Sequence, residues 1–582
     1  MVDRATLEGS LPMGSAASFR VRRMVLMLCL SLCFLVAGAS TFYRQVIETD
    51  FLQSEGESRY VRVCEIPARR GLILDRNGEP LAVSTPVATL WADPRHLHGF
   101  QQGIAPLAKA LNMDAVKLRD KIEANRERAF IYLKRRVTPQ TAAAVQRLID
   151  DGTVAGVFRE TEYRRFYPGV EVFGHVLGFT DIDDRGQEGI ERAFDSWLRA
   201  EPGQRRLIQD GRGHQVEEIE QIRSPRPGKH LELSLDRRLQ FLTYRELKRA
   251  VTQHRAKSGS AVVLDVNTGE VLAMVNQPGY NPNSDLSGNG ANRRNRALTD
   301  VMEPGSTLKP FVVAAVLDAG LVGPGTRIDT RPGTLKVGRN RVRDIHNYGI
   351  LTTTGIITKS SNVGVVKLAF KMNRSVLWGL YDRLGFGRRS GSHFPGETNG
   401  HLAHFSDWSR FEHATAAFGY GVSVNTLQLA QAYAVLAADG VKQPVSLLKV
   451  KSRPEGERIL KVDTARKVRA MLETVVSAKG TARRAAVDGY RVAGKTGTAK
   501  KAGRGGYSGK RYQSVFAGMA PVGSPKLVMV VMVDEPRGKH YYGGLVAAPV
   551  FSKVMAHALR LFNVPPDDPT TSLTLARMDE RR

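Results

Sequence analysis

From Met24 to Tyr43 the chain runs through twenty residues without a charge, and Arg20, Arg22 and Arg23 stand just before that run. An apolar stretch of about 20 residues crosses a bilayer as a helix. The excess of positive charge on the early side places the N-terminus in the cytoplasm and everything after Arg44 outside. Ala37-Gly38-Ala39 leaves a second reading open, a signal peptide cut after Ala39. The apolar character that continues through Phe42 and Tyr43 favours the uncleaved anchor, and either reading exports the rest of the chain.

Further along, the pattern changes to that of a folded domain. Ala261–Val266 and Glu270–Val275 are two apolar runs around Asn267-Thr268-Gly269, which predicts a β-hairpin. Lys526–Val533 is one more run of strand character. Phe311–Leu317 is apolar all round and closes at Asp318-Ala319-Gly320, which predicts a buried helix with Gly320 as its stop. That helix opens at Ser306, and Pro310 fits because a first-turn proline gives up an N–H that has no partner there anyway. Val492-Ala493-Gly494 leads into a strand over Lys495–Thr498, followed by a basic loop with Lys500, Lys501 and Arg504. The Pro/Gly-rich break Arg223–Lys229 marks a domain boundary after residue 225, and the segment after Pro565-Pro566 reads as a short C-terminal tail.

Three short blocks carry chemistry: Ser306-Thr307-Leu308-Lys309, Ser360-Ser361-Asn362 and Lys495-Thr496-Gly497-Thr498. Each pattern is cheap by itself. Ser446-Leu447-Leu448-Lys449 repeats the first, Lys257-Ser258-Gly259 approaches the third, and both Ser287-Gly288-Asn289 and Ser423-Val424-Asn425 read as the second. The ordered triple is rare, and it is the signature of serine acyl-transfer enzymes that use lysine in place of histidine. On a helix Ser306 and Lys309 share one face, so the amine can reach the hydroxyl. A serine needs a base, and a lysine serves as one only if burial or a neighbouring positive charge depresses its pKa. Lys495 supplies that charge. The free N–H groups at the helix start can meet an oxyanion. Ser360 can relay a proton, and Asn362 can bind a substrate carbonyl and hold Lys309, although Ser and Asn are also ordinary helix caps. Lys495–Thr498 reads as an edge strand. Gly497 there admits another backbone, such as a substrate peptide, while Thr496, Thr498 and Lys495 grip a carboxylate.

With these blocks the sequence resembles the class B penicillin-binding proteins, most closely their division-specific members, from about Val61 to Val564. Further matches are Arg70–Gly78, Arg164–Gly169, Gly186–Glu191, Phe418-Gly419-Tyr420-Gly421, Gly518–Pro521 and Asp534-Glu535-Pro536. Read by itself, Asp75-Arg76-Asn77-Gly78 is a hairpin turn. The resemblance implies an α+β chain: a penicilloyl-serine transferase (β-lactamase-like) domain, its antiparallel sheet flanked by helices, on an elongated α+β pedestal with one transmembrane helix. It divides the sequence into a cytoplasmic tail (1–23), an anchor (24–43), a non-catalytic pedestal (44–225), a transpeptidase domain (226–563) and a C-terminal tail (564–582). It implies that Ser306 attacks between the two terminal D-alanines of a peptidoglycan stem peptide. The acyl-enzyme is then resolved by an amine of a neighbouring stem, with the N–H groups of Ser306 and Thr498 as oxyanion hole. β-Lactams should acylate the same serine. Cell-division membrane proteins, a septal glycosyltransferase among them, are the implied partners, and an inner-membrane anchor with a periplasmic catalytic domain is the implied location.

Composition changes this picture little. The chain has 582 residues, 42% of them apolar and 24% charged, which is globular and more than one domain. Its formal charge of +28 raises a nucleic-acid reading. Export, and cations scattered in short clusters, argue instead for contact with anionic lipid and wall polymer, with no nucleic acid. Cys29 and Cys33 fall in the membrane run, which leaves Cys64 alone outside it, expected as a small buried apolar residue. The 13 histidines show no ligand spacing, and serine–lysine chemistry asks for no metal or cofactor. Rival readings are an elongation-type relative, where aspartate is expected in place of Asn362, a β-lactamase or penicillin sensor, a bifunctional enzyme and a non-catalytic division scaffold. The pedestal matches, the lack of a matching acidic glycosyltransferase motif before the boundary, and the intact triple weigh against the last three.

Overall fold

The computed structural model describes residues 16–51, 60–97, 100–209, 215–284, 290–501 and 511–568. Residues 1–15, the repeated block Ser287–Asn289, most of the basic loop after Lys501 and the tail from 569 lie outside the described residues. Two compact units are present, and neither is a continuous stretch. One comprises Met1–Pro67, Ala88–Glu160 and Pro202–Pro225; the other comprises Ala68–Val87, Thr161–Glu201 and Arg226–Arg582.

The first unit begins with helix α1 (Ala16–Phe42), and helical turns continue through Ile47. The apolar helical span covers Phe19–Ile47, its most apolar 18 residues having a mean hydropathy of 2.3 and no burial, so it is long and apolar enough to cross a membrane. It is longer at both ends than the uncharged run, because the helix continues through the flanking arginines. The same unit holds an antiparallel three-stranded sheet of Val61–Ile66, Gly203–Gln209 and Gln215–Arg223. Cys64 lies on its first strand and is half-buried rather than fully enclosed. Helices Phe100–Leu111, Ala115–Glu123 and Pro139–Asp150 pack Leu107, Leu111, Leu118 and Val145 into a core with Leu90, Leu133 and Val157.

The second unit is built on a sheet with helices on both faces. Its elements are helix α2 (Arg237–Gln253), strands β1 (Ser258–Asp265) and β2 (Val271–Gln277), and helix α3 (Lys309–Asp318). A small ribbon follows, β3 (Thr334–Val337) with β4 (Asn340–Arg343), then helices α4 (Thr353–Lys359), α5 (Asn362–Ala369), α6 (Thr426–Ala437) and α7 (Val462–Val476). Strands β5 (Ala493–Lys500), β6 (Tyr512–Ala520) and β7 (Leu527–Asp534) and helix α8 (Ala548–Leu561) close the unit. The sheet order is β2-β1-β7-β6-β5, antiparallel throughout, with β5 at the edge. Strands β1, β2 and β7 are buried almost end to end, which explains why they read as continuous apolar runs and not as alternating ones. Helices α2 and α8 pack together on one face, and α6 and α7 on the other. Helix α2 turns Leu239, Thr243, Leu247 and Ala250 inward at helical spacing, and the Asp236 side chain caps its start.

The helix after the serine differs from the expectation at its start. It begins at Lys309, since Gly305–Leu308 forms a tight 3-10 turn, and Pro310 sits in its first turn. It also lies a layer away from the sheet: its main neighbours are α5, α7 and the helix Arg374–Leu384. Such a site buries every side, which is why Lys309–Val316 shows no polar face. Gly320 takes the left-handed conformation expected of a helix stop.

The early motifs have a structural explanation. Asp75 accepts from the N–H groups of Asn77 (2.7 Å) and Glu79 (2.9 Å), and Gly78 supplies the positive φ of the turn. The fully buried Glu191 accepts from Arg70 Nε (2.8 Å) and Arg165 Nε (2.6 Å), while Arg70 Nη1 reaches Asp195 (2.8 Å). Arg165 Nη1 also donates to the Gly71 carbonyl (2.8 Å). These matches therefore hold one buried ionic knot together.

Candidate active site

The three blocks converge. Ser306 stands on the 3-10 turn, half-exposed, and Lys309 begins α3 directly beneath it with no exposure at all. Ser360 ends α4 in the left-handed conformation (φ 60°, ψ 40°), rare for a residue with a Cβ. That twist sends its hydroxyl into the site, where Oγ lies 3.2 Å from Lys309 Nζ and 3.0 Å from Lys495 Nζ. Lys309 Nζ also donates to the Ser360 carbonyl (2.5 Å) and to Asn362 Oδ1 (2.6 Å).

The geometry fits a neutral Lys309. A neutral amine has two N–H bonds and one lone pair. The two short contacts to carbonyl oxygens fix the N–H groups and leave the lone pair for a hydroxyl proton. Burial pushes the Lys309 pKa well below the usual lysine range, the Lys495 charge pushes the same way, and Asp344 opposes both. Lys495 is equally buried, and burial brings its pKa down to about 7. Ser306 Oγ makes no hydrogen bond to Lys309 among the described residues, so the amine is held by the second block and not by its neighbour in sequence. The Ser306 N–H likewise has no acceptor among the described residues and is free for an oxyanion.

The third block lies on the edge strand. Gly497 is required by this chain's own packing, since a Cβ there would come within 2.9 Å of the Pro304 carbonyl and of Thr307. The close approach expected of a substrate backbone is thus already made by the turn that carries Ser306. Thr496 is buried with its hydroxyl 2.8 Å from that of Thr481, whereas Thr498 is half-exposed and accepts from Gly543 N–H at 3.0 Å. Of the two hydroxyls, Thr498 is the one open to a ligand.

Several residues here escaped sequence reasoning. Asp344 binds the second block from below: its carboxylate accepts from Ser361 Oγ (2.6 Å), Asn362 N (2.5 Å) and Val363 N (3.0 Å). Ser361 is the N-cap of α5, with Gly364 N–H as donor, which frees Ser360 and Asn362 from capping. No local pattern links Asp344 to a block so far downstream. The Gly419 carbonyl accepts from Gly305 N–H (3.1 Å), and Gly419 has no room for a Cβ, so the Phe418–Gly421 match backs the turn that carries Ser306. Tyr512, Tyr541 and Tyr542 stack in series at 4.1 and 4.5 Å beside Thr498's partner Gly543. The repeated Ser446 pattern sits in an extended stretch bridged to Glu270, with no helix to present Lys449.

The chain is also similar to known proteins. Residues 259–556 match the model of the penicillin-binding protein transpeptidase domain, and residues 65–233 that of the penicillin-binding protein dimerisation domain. The chain is 43% identical over 548 residues to the peptidoglycan D,D-transpeptidase FtsI of Escherichia coli K12, covering 93% of this chain and 92% of that protein. It is 41% identical over 549 residues to the probable peptidoglycan D,D-transpeptidase PenA of Neisseria meningitidis, covering 93% of each. The transpeptidase domain of penicillin-binding protein 3 from Burkholderia pseudomallei superposes with a TM-score of 0.54 at 44% identity, over 58% of this chain and 98% of that one. A buried Lys309 held by Ser360 and Asn362 and faced by Lys495, within a chain matching both domain models in order, places this protein among the class B penicillin-binding proteins.

Proposed function

We propose that this protein is a septal peptidoglycan D,D-transpeptidase working through a Ser306 acyl-enzyme. The observation that carries this reading is the meeting of Lys309 and Lys495 at the Ser360 hydroxyl, with Asn362 on Lys309 and Ser306 on the adjoining turn. Lys309 takes the Ser306 proton as the oxygen attacks the carbonyl between two D-alanines. The N–H groups of Ser306 and Thr498 receive the oxyanion, and Ser360 passes the proton from Lys309 to the departing D-alanine amine. An amine from a second stem peptide then reverses these steps and leaves a cross-link. The donor peptide lies along β5, where Thr498 and the Lys495 charge draw its carboxylate.

The identity of Asn362 supports the division role over elongation. Helix α1 anchors the chain with its arginines on the cytoplasmic side, so residues 44–225 serve as a pedestal and the catalytic domain works in the periplasm. Membrane proteins of division, including a septal glycosyltransferase, are the partners of that reading. β-Lactams imitate the D-alanyl-D-alanine end and acylate the same serine. Mass spectrometry of the intact protein after penicillin treatment tests the core of it. One stable penicilloyl adduct is expected on the native chain and none on Ser306→Ala; an adduct that survives the substitution, or rapid turnover of the drug, sinks the assignment.

A further inference from the structure

The β3–β4 ribbon carries a charge pattern that local stability does not explain. Its register sets Lys336 directly opposite Arg341 and Thr334 opposite Arg343, so all four share one face. The other face sends Val337 and Val342 into the core, with Leu335 packed beside them. The outward face therefore holds Lys336, Arg341 and Arg343 together, all exposed, with Arg339 in the connecting turn. Like charges placed directly across a strand pair destabilise it. None of these four cations has an ion-pair or hydrogen-bond partner for its side chain among the described residues. The neighbouring carboxylate, Asp344, is already engaged by Ser361, Asn362 and Val363. A rigidly mounted surface that keeps unpaired like charges together is a surface that meets an anion.

The ribbon is also fastened to the catalytic block. The carbonyl of Arg343, its last residue, accepts from Asn362 Nδ2 at 2.9 Å, and α5 packs on β4. A ligand held on this face is held at the margin of the reacting centre, on the side of Ser360 and Asn362. The other wall, β5, belongs to the donor in the reading above, on which this inference rests. We infer that Lys336, Arg341 and Arg343 form a subsite for the acceptor strand, binding the free carboxylates of an amine-bearing peptide and presenting its amine to the acyl-enzyme.

The full-length protein in detergent micelles tests this with a small peptidyl thioester as donor and a dicarboxylate peptide amine as acceptor. The same acceptor with both carboxylates amidated is the control. For Lys336→Gln/Arg341→Gln, KM for the dicarboxylate acceptor should rise about fivefold, in keeping with two exposed, salt-screened contacts. KM for the amidated acceptor and the rate of penicillin acylation should stay within about twofold of the native values. The charge-preserving pair Lys336→Arg/Arg341→Lys should retain the native KM, which separates lost charge from a disturbed ribbon. Equal shifts for both acceptors, or no shift for either, overturn the inference. So does loss of binding to phosphatidylglycerol vesicles with acceptor KM unchanged, which would assign the face to a lipid surface. Failure of the native protein to form any adduct at Ser306 is a different result, and it removes the transpeptidase reading itself.

Discussion

Lys309 and Lys495 meet at a single hydroxyl, that of Ser360, at 3.2 and 3.0 Å from its oxygen. Two buried ammonium groups so placed cannot both keep their protons cheaply: burial lowers both pKa values, and the Lys495 charge adds to it at Lys309, which falls well below its usual range. Burial first, and the Lys495 charge after it, fit Lys309 for the part of base in the proposed mechanism.

The left-handed backbone of Ser360 puts its hydroxyl there at a conformational cost. Ser360→Gly removes that strain, about 1 kcal/mol, and also removes the relay. The variant should unfold at the same or a higher denaturant midpoint while penicillin acylation falls about 100-fold, the ordinary contribution of a proton-transfer group. A Ser360→Gly protein that acylates at the native rate would show that the hydroxyl carries no proton.

Asp344 opposes the lowering of the Lys309 pKa, so neutralising it should lower that pKa further. In Asp344→Asn the low-pH limb of the acylation rate, which follows the loss of the Lys309 proton, should move to lower pH. The same change weakens the cap on α5 and should cost about 1 kcal/mol of stability. A limb that stays in place, or moves upward, contradicts the assignment of Lys309 as the base.

Lys495 makes stability depend on pH. Its folded pKa of about 7 lies below the ordinary 10.5, so between those values the unfolded chain binds a proton that the folded protein does not. Stability from this group therefore rises with pH across that window, and below pH 7 the burial penalty applies in full. Urea midpoints of the native protein should climb from pH 7 towards 10, and those of Lys495→Met should climb less. Parallel curves would mean that Lys495 keeps its proton in the fold.

Glu191 neutralises two buried arginines at once. Glu191→Gln leaves Arg70 and Arg165 enclosed with their main counter-charge gone, and should destabilise the second unit by about 3–5 kcal/mol. Calorimetry on the full chain reads this directly; a change under about 1 kcal/mol would mean that Asp195 and the backbone carbonyls suffice to hold both guanidinium groups.

Much of this protein is legible in its sequence because much of it is locally determined. An uncharged apolar run makes α1, two apolar runs around Asn267-Thr268-Gly269 make β1 and β2, and a positive-φ glycine stops α3 at Gly320. The three blocks of the proposed mechanism announce themselves because their ordered occurrence is rare, while each alone is common. Tertiary structure alone decided what those groups touch. Lys309 turns to Ser360 and Asn362, 51 and 53 residues away, and not to Ser306, because burial leaves a lysine amine no option but to find oxygens wherever packing brings them. Asp344 and Gly419 acquire meaning only when distant segments pack side by side, and no spacing along the chain encodes that meeting.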